Sequence, residues 1–295
     1  MKRSSKDLAA VLTPLLSVLS DEIIDAIRSE VEPYRRPLAG TFGRNVRMGV
    51  EVALSRFLEG GTDERARRAY VELGRGEFRD GRSLDALLSA YRVGARIAWR
   101  RAYEAGEEAG VDPRLLYEFG EALFAYIDEI SAESADGWAQ AQSAAAGERQ
   151  RRRRRLVNLL AQQPPADPAV VETEAREAGW DLPSNVAALA VSPADGGLAS
   201  RLGPDVIAAT VDGATLAFVP DPDAPARRAQ LERATGDAVA AIGPTCALAT
   251  AHRSAARARL AQRLAADGVL EAGGLVVAED HLATLVLHAD RSLAA

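Results

Sequence analysis

Few residues in this chain have the types and spacing that chemistry would need. The three histidines are His252, His281 and His288. His281 and His288 lie two helical turns apart with Asp280 before the first, the outline of an acid–base pair or half a metal site. No third ligand stands at a recognisable spacing, so they read as packing and capping residues, with no metal site and no catalytic residue assigned. Asp195 and Asp212 are single carboxylates in turns, where phosphoryl transfer needs several converging acids and glycines. Arg151 to Arg155 form one basic run, whose charges repel at i,i+4, and Glu148 is placed to pair with Arg151 or Arg152. The run could contact phosphate or an acidic partner. Without interleaved aromatics, in a chain of net charge −6, it reads as a solvated helix face. Tyr91, Arg92, Arg96 and Trp99 share one predicted helix. Arg92 and Arg96, one turn apart, would suit a small anionic metabolite if they faced a cleft, and are ordinary surface if they face water.

The elements that would position these residues fall into two patterns. Leu8, Val11, Leu12, Leu15, Leu16 and Leu19 form one stripe of a first helix that continues to Val31. Asp7 and the lack of a small-x-small site argue against a signal peptide, and the run is too short to span a bilayer. A second helix is predicted over 41–58. A third carries Ala66, Ala69, Tyr70 and Leu73 on one face, with Gly74, Gly76 and Gly81 marking the turn region after it. Ser83 caps a fourth, whose stripe Leu84, Leu87, Leu88, Tyr91, Ala95, Ala98, Trp99, Ala102 and Tyr103 should centre the N-terminal core. Asp112-Pro113 opens a fifth helix running on towards Trp138. The first half is therefore expected to be all-α.

After Pro164-Pro165 the period changes. Asp167-Pro168 caps a short helix closed by Gly179. Apolar runs over 186–191, 206–211 and 214–219 read as strands, the last two joined by Asp212-Gly213, a tight hairpin signature. A helix over 225–241, a strand over 246–249, a helix over 254–266, a strand over 275–278 and a final helix from His281 follow, the last with Leu282, Leu285, Val286 and Ala289 towards a core. The order predicts an α+β domain, a mainly antiparallel sheet with helices on one face. The expected division is a helical domain over 1–137, a connector helix and linker over 138–166, and an α+β domain over 167–295.

Composition agrees with two domains: 295 residues at 47% hydrophobic can bury two cores. The acidic balance disfavours general adhesion to nucleic acid or anionic lipid. A single cysteine, Cys246, leaves no internal disulfide or cysteine zinc site, so a cytoplasmic, membrane-free protein is expected. The helical half has no histidine to ligate haem, and no cofactor is expected. Ile127, Ile130, Ser134, Ala141 and Ala145 recur at steps near three and four or their multiples, suggesting a homodimer through an imperfect coiled coil.

GRSLDALLS (81–89) followed by AYRVGARIAW (90–99) resembles the N-terminal helical domain of PucR/CdaR-type bacterial transcriptional regulators, itself similar to the RsbRD-type stress-sensor domain. RRRRRLVNLLA (151–161), EAGWDLP (177–183) and AEDHLATLVLHAD (278–290) resemble that family's linker and degenerate GGDEF-like domain. The resemblance implies a non-enzymatic sensory and dimerising module that passes a small-molecule or partner signal to a helix-turn-helix domain. These residues stop at Ala295, where that domain would begin, so DNA contact is expected only through a domain not present here. A diguanylate cyclase needs a Gly-Gly-acidic-Glu-Phe turn, whereas this hairpin reads Val211-Asp212-Gly213-Ala214-Thr215. The alternative is a nucleotide-binding or nucleotide-processing enzyme that keeps a cyclase-like fold.

Overall fold

In the computed structural model, which describes residues 11–35, 40–59, 64–271 and 273–289, every described element before residue 185 is helical. Leu8 and the part of the expected last helix beyond Ala289 lie outside the described residues. The chain divides into two compact units, Met1–Ala145 and Ala146–Ala295.

The first unit is a set of helices. Pro14 lies in a single 3-10 turn, Thr13–Leu15, before α1, Leu16–Glu30. Leu19, Ile23, Ile24 and Ile27 give α1 one buried face. α2 spans Gly40–Glu59, α3 Glu64–Arg79, α4 Leu84–Glu108 and α5 Pro113–Ala161. Both expected N-caps form: Ser83 accepts from the Ala86 amide at 3.2 Å and Asp112 from the Arg114 amide at 2.9 Å. α4 is the central helix, buried on more of its circumference than the expected stripe, with Ala86, Val93 and Ile97 as well as Leu87, Ala95 and Ala98 inside. Tyr103, expected in the stripe, is exposed.

The glycines after Leu73 correct the sequence reading. Gly74 and Gly76 lie inside α3, and of the three only Gly81, at φ +76°, sits in the turn. A Cβ on Gly74 would stand 1.9 Å from the Ser134 carbonyl oxygen, and one on Gly137 the same distance from that of Val71. α3 and α5 thus meet backbone to backbone, a contact that overrides glycine's poor helix propensity. The helix opened by Asp112-Pro113 runs on through Trp138 as expected: α5 is unbroken for 49 residues, and the boundary between the units falls within it.

The second unit is α+β. α6, Pro168–Ala178, begins where Asp167 accepts from the Ala169 amide at 2.8 Å and ends at left-handed Gly179. The strands are β1 Asn185–Ser192, β2 Ile207–Val211, β3 Ala214–Pro220, β4 Val239–Ile242, β5 Cys246–Ala247 and β6 Val276–Val277. They form a mixed sheet of order β2-β3-β1-β4-β6, with β5 also on β1. The β4–β6 pair is parallel and the other pairs are antiparallel. Asp212 and Gly213 both take positive φ, as the two-residue hairpin demands, and Val211 pairs with Ala214.

Four features differ from expectation. The helix over 225–241 is α8, Arg227–Thr235, and ends at Gly236; the residues beyond form β4, whose alanines are held extended by pairing with β1. A short helix α7, Leu198–Leu202, precedes β2. Helices cover both sheet faces rather than one. Val186, Ala188 and Phe218 pack with α9, Ala251–Ala266, and with Leu156 and Val157 of α5. Leu189, Ala217 and Val219 pack with α7 and α8. Finally, α10, Leu282–His288, buries Leu285, while Val286 is 74% exposed and Leu282 is also exposed. Among the described residues no helix is long and apolar enough to cross a membrane.

Candidate functional site

The first unit contains a cavity of about 450 Å³, within the range of small-molecule sites. Ile23 and Ile27 of α1, Leu54 and Phe57 of α2, Ala95 and Ala98 of α4, and Leu123, Ile127 and Ile130 of α5 give it an apolar wall.

Polar groups gather at one side. Glu77 is only 5% exposed although it sits on the buried face of α3 that carries Ala66, Tyr70 and Gly74. A buried carboxylate must be paired and hydrogen-bonded. Glu77 accepts from the Tyr34 hydroxyl at 2.8 Å and from Arg82 Nη2 at 3.0 Å, with a second, shorter bond from Arg82 Nε. Arg82 also donates to Asp80 at 2.5 Å and stands 5.7 Å from the Tyr34 ring centroid. Trp138 Nε1 donates to the Arg82 carbonyl at 3.2 Å, and its ring meets Phe78 edge-on, so the loop bearing Arg82 is held from α5. Burial pulls the Arg82 guanidinium down, but its bonds to Glu77 and the charge there outweigh this and raise it above the usual arginine value.

Three more tyrosines line the cavity. Tyr126 donates to the Ala53 carbonyl at 3.0 Å, which makes Tyr70 the donor in the 2.5 Å bond between the Tyr70 and Tyr126 hydroxyls. Tyr91 and Ser134 share a hydrogen bond of 2.8 Å. Burial is the main cause raising all four tyrosines above the ordinary phenol value, with Glu77 adding to the rise at Tyr34 and Tyr70 adding to it at Tyr126. All four therefore stay neutral at physiological pH.

Of the four residues proposed from the sequence, Tyr91 reaches this cavity. Arg92 is exposed and bonded to Ser89, with Asp85 at 3.8 Å; Arg96 is exposed and paired with Glu30. Trp99 is partly buried and stacks on Phe119 outside the cavity lining. The two arginines face water, so the cation at the cavity is Arg82. Sequence reasoning missed Tyr34, Tyr70, Glu77, Arg82 and Tyr126. One signal was available: Glu77 continues the Ala66, Tyr70, Leu73 stripe by one more turn, a carboxylate on a face meant for burial.

The residues proposed for a dimer contact are largely used within the chain. Ile130 packs on Tyr70 and Tyr126, and Ser134 is fully buried beneath Gly74. Ile127 is partly buried at the cavity, and Ala141 and Ala145 are partly exposed.

In the second unit the arginine run is mostly solvent-exposed, as expected, with Arg151, Arg154 and Arg155 exposed, yet several of its members are also bonded within the unit. Arg151 and Arg152 both bond Glu148, at 2.7 and 3.1 Å. Arg152 and Arg153 also donate to the carbonyls of Glu177 and Val206, and Arg155 pairs with the buried Glu174 at 2.8 Å. Three of the five thus tie the end of α5 to its own unit. Asp195 is equally committed, accepting from the Gly197 amide at 2.8 Å and from Arg201, whose hydrogen bond is the main cause holding its carboxyl below the usual value. A second, polar cleft of about 460 Å³ is lined by Glu232, Glu271, Asp280 and His281 among others. Among the described residues, no group of three or more histidine, cysteine or acidic side chains is placed to hold a metal ion.

The chain thus combines a helical unit that holds a ligand-sized cavity with a mixed-sheet α+β unit, and one long helix runs from the first into the second. Residues 2–161 match the family model of the PucR-like N-terminal domain and residues 161–264 match that of a GGDEF-like domain. The first match covers more than half of the chain, which therefore belongs to the PucR-like family. A comparison with curated proteins returned no match.

Proposed function

We propose that this chain is the sensory and dimerising portion of a bacterial transcription regulator, that it is not an enzyme, and that a small molecule in the helical cavity is its signal. The observation that carries this reading is the cavity itself, sited in a PucR-like N-terminal domain and walled in part by α5. The same helix contributes Leu156, Val157 and Leu160 to the core of the GGDEF-like domain, so one continuous element takes part in both cores. The output is a helix-turn-helix domain outside residues 1–295, because base reading needs an element seated in a groove.

A non-enzymatic GGDEF-like domain is supported by the commitment of Asp195 to Arg201 and by the hairpin turn, where Asp212 is the single acid. Incubation with GTP or ATP and magnesium is expected to release no pyrophosphate; measurable release would favour the nucleotide-processing reading. Dimerisation is assigned to the partly exposed members of the α5 stripe. Light scattering is expected to show a dimer that Ala141→Glu with Ala145→Glu converts to a monomer. In gel shifts, residues 1–295 should give at most weak binding that physiological salt erases; discrimination between an operator and a scrambled duplex would overturn this assignment.

A further inference from the structure

The charges and glycines around the helical cavity restrict what it can hold. Its charged lining residues are Glu72, Glu77, Asp80 and Arg82, and the guanidinium is committed to Glu77 and Asp80. At the exposed rim Glu72 is paired with Arg75 and Asp80 with Arg82, so an anion placed beside buried Glu77 meets a carboxylate and a guanidinium already committed to carboxylates, and the protein's low dielectric enlarges that penalty. The tyrosines add no positive charge. The hydroxyl protons of Tyr34, Tyr70 and Tyr126 are directed to Glu77, Tyr126 and the Ala53 carbonyl, leaving mainly acceptor lone pairs for a guest.

Two glycines point the same way. Gly49 in α2 and Gly76 in α3 both line the cavity from helix interiors, where glycine is unfavourable. Neither has a positive φ, and a Cβ added at either would meet no atom within 4 Å. Gly74, one position from Gly76's neighbour on the same helix, is required by the Ser134 carbonyl; Gly49 and Gly76 answer to no such contact. What their missing side chains provide is open volume.

We propose that the cavity is a binding site for an uncharged, largely apolar small molecule of aromatic or alicyclic type, kept open by Gly49 and Gly76 and closed to anions by its carboxylates. The inference rests on the sensory reading given above and replaces the anionic guest that Arg92 and Arg96 suggested.

The test compares two fluorescent probes with the full chain: N-phenylnaphthylamine, which is neutral, and anilinonaphthalenesulfonate, which adds a sulfonate to the same apolar frame. The neutral probe should bind saturably, one per chain, about tenfold or more tighter than the sulfonate. Gly49→Leu and Gly76→Leu should weaken it by about tenfold or more while keeping the wild-type circular dichroism spectrum and a Tm no lower than wild type. If the sulfonate binds as tightly and both substitutions weaken it, the ligand class is wrong and the cavity still stands as the sensory site. If both folded variants bind the neutral probe as wild type does, or wild type binds neither probe, the sensory reading of the cavity falls with the inference.

Discussion

The two units solve the packing problem in opposite ways. All six tyrosines of the chain lie in the first, along with Phe57, Phe78 and Phe119, and the second relies on small aliphatic residues around Phe218 and Trp180. In the second, β1 is buried on both faces, and the alanines of α9 let helix and sheet approach closely: a Cβ on Gly243 would stand 2.2 Å from the Ser254 carbonyl oxygen. The Ser254 hydroxyl, fully buried, accepts from the Ala188 amide at 2.9 Å. The helical unit instead leaves a cavity and surrounds it with hydroxyls and an ion pair. A satisfied polar network fixes one arrangement of the side chains around that cavity. One unit is built to be filled by itself and the other to be filled by something else.

Alkali should separate the two most sharply. The four cavity tyrosines are raised above their unfolded values, so their contribution to stability is complete below about pH 10, the ordinary phenol pKa, and is lost as pH climbs from there towards the folded values. The second unit has no tyrosine, while the three histidines all lie there. In proton NMR the tyrosine ring signals should collapse above pH 10 while the histidine ring signals stay dispersed. Joint collapse would show that the units do not differ in this way.

Removing the buried carboxylate comes next. Glu77→Leu takes away the group that both Arg82 and Tyr34 hold, and should destabilise the helical unit by ~3 kcal/mol in urea unfolding. A loss below ~1 kcal/mol, the ordinary worth of an exposed pair, would mean that the network is dispensable to the fold.

The smallest effects come from two glycines two residues apart. Gly74→Ala forces a Cβ against the Ser134 carbonyl and should cost ~2 kcal/mol. Gly76→Ala meets open space and should stabilise by ~0.5–1 kcal/mol. Equal signs for the two would remove the distinction between a glycine that packs and one that keeps a volume open.

Much of the fold was legible in the sequence because its signals are local. The caps at Ser83, Asp112 and Asp167 and the hairpin at Asp212-Gly213 each depend on a few neighbouring residues, and each formed where expected. The misreadings were all long-range. Gly74 looked like a helix stop because the Ser134 carbonyl that demands it lies on another helix. Ala240 and Ala241 looked helical because β1, which holds them extended, lies far away in the chain. The candidate site was less legible still. Tyr91 was found from its helix stripe, whereas Arg92 and Arg96 were chosen for their charge, and charge alone does not say which way a helix face points.

The sequence by itself determined the division into a helical half and an α+β half, the element boundaries marked by caps and turns, and the absence of histidine from the helical half. These follow from periodicity, capping chemistry and composition, which act within a turn or two of the chain. The tertiary structure decided the cavity, the burial of Glu77 against Tyr34 across 43 residues of sequence, and the inward use of Ile130 and Ser134. It also decided that Arg152, Arg153 and Arg155 of the largely exposed arginine run are bonded within their own unit. Each of these depends on which distant groups meet, and a buried charge or an open volume exists only once the surrounding elements have closed around it.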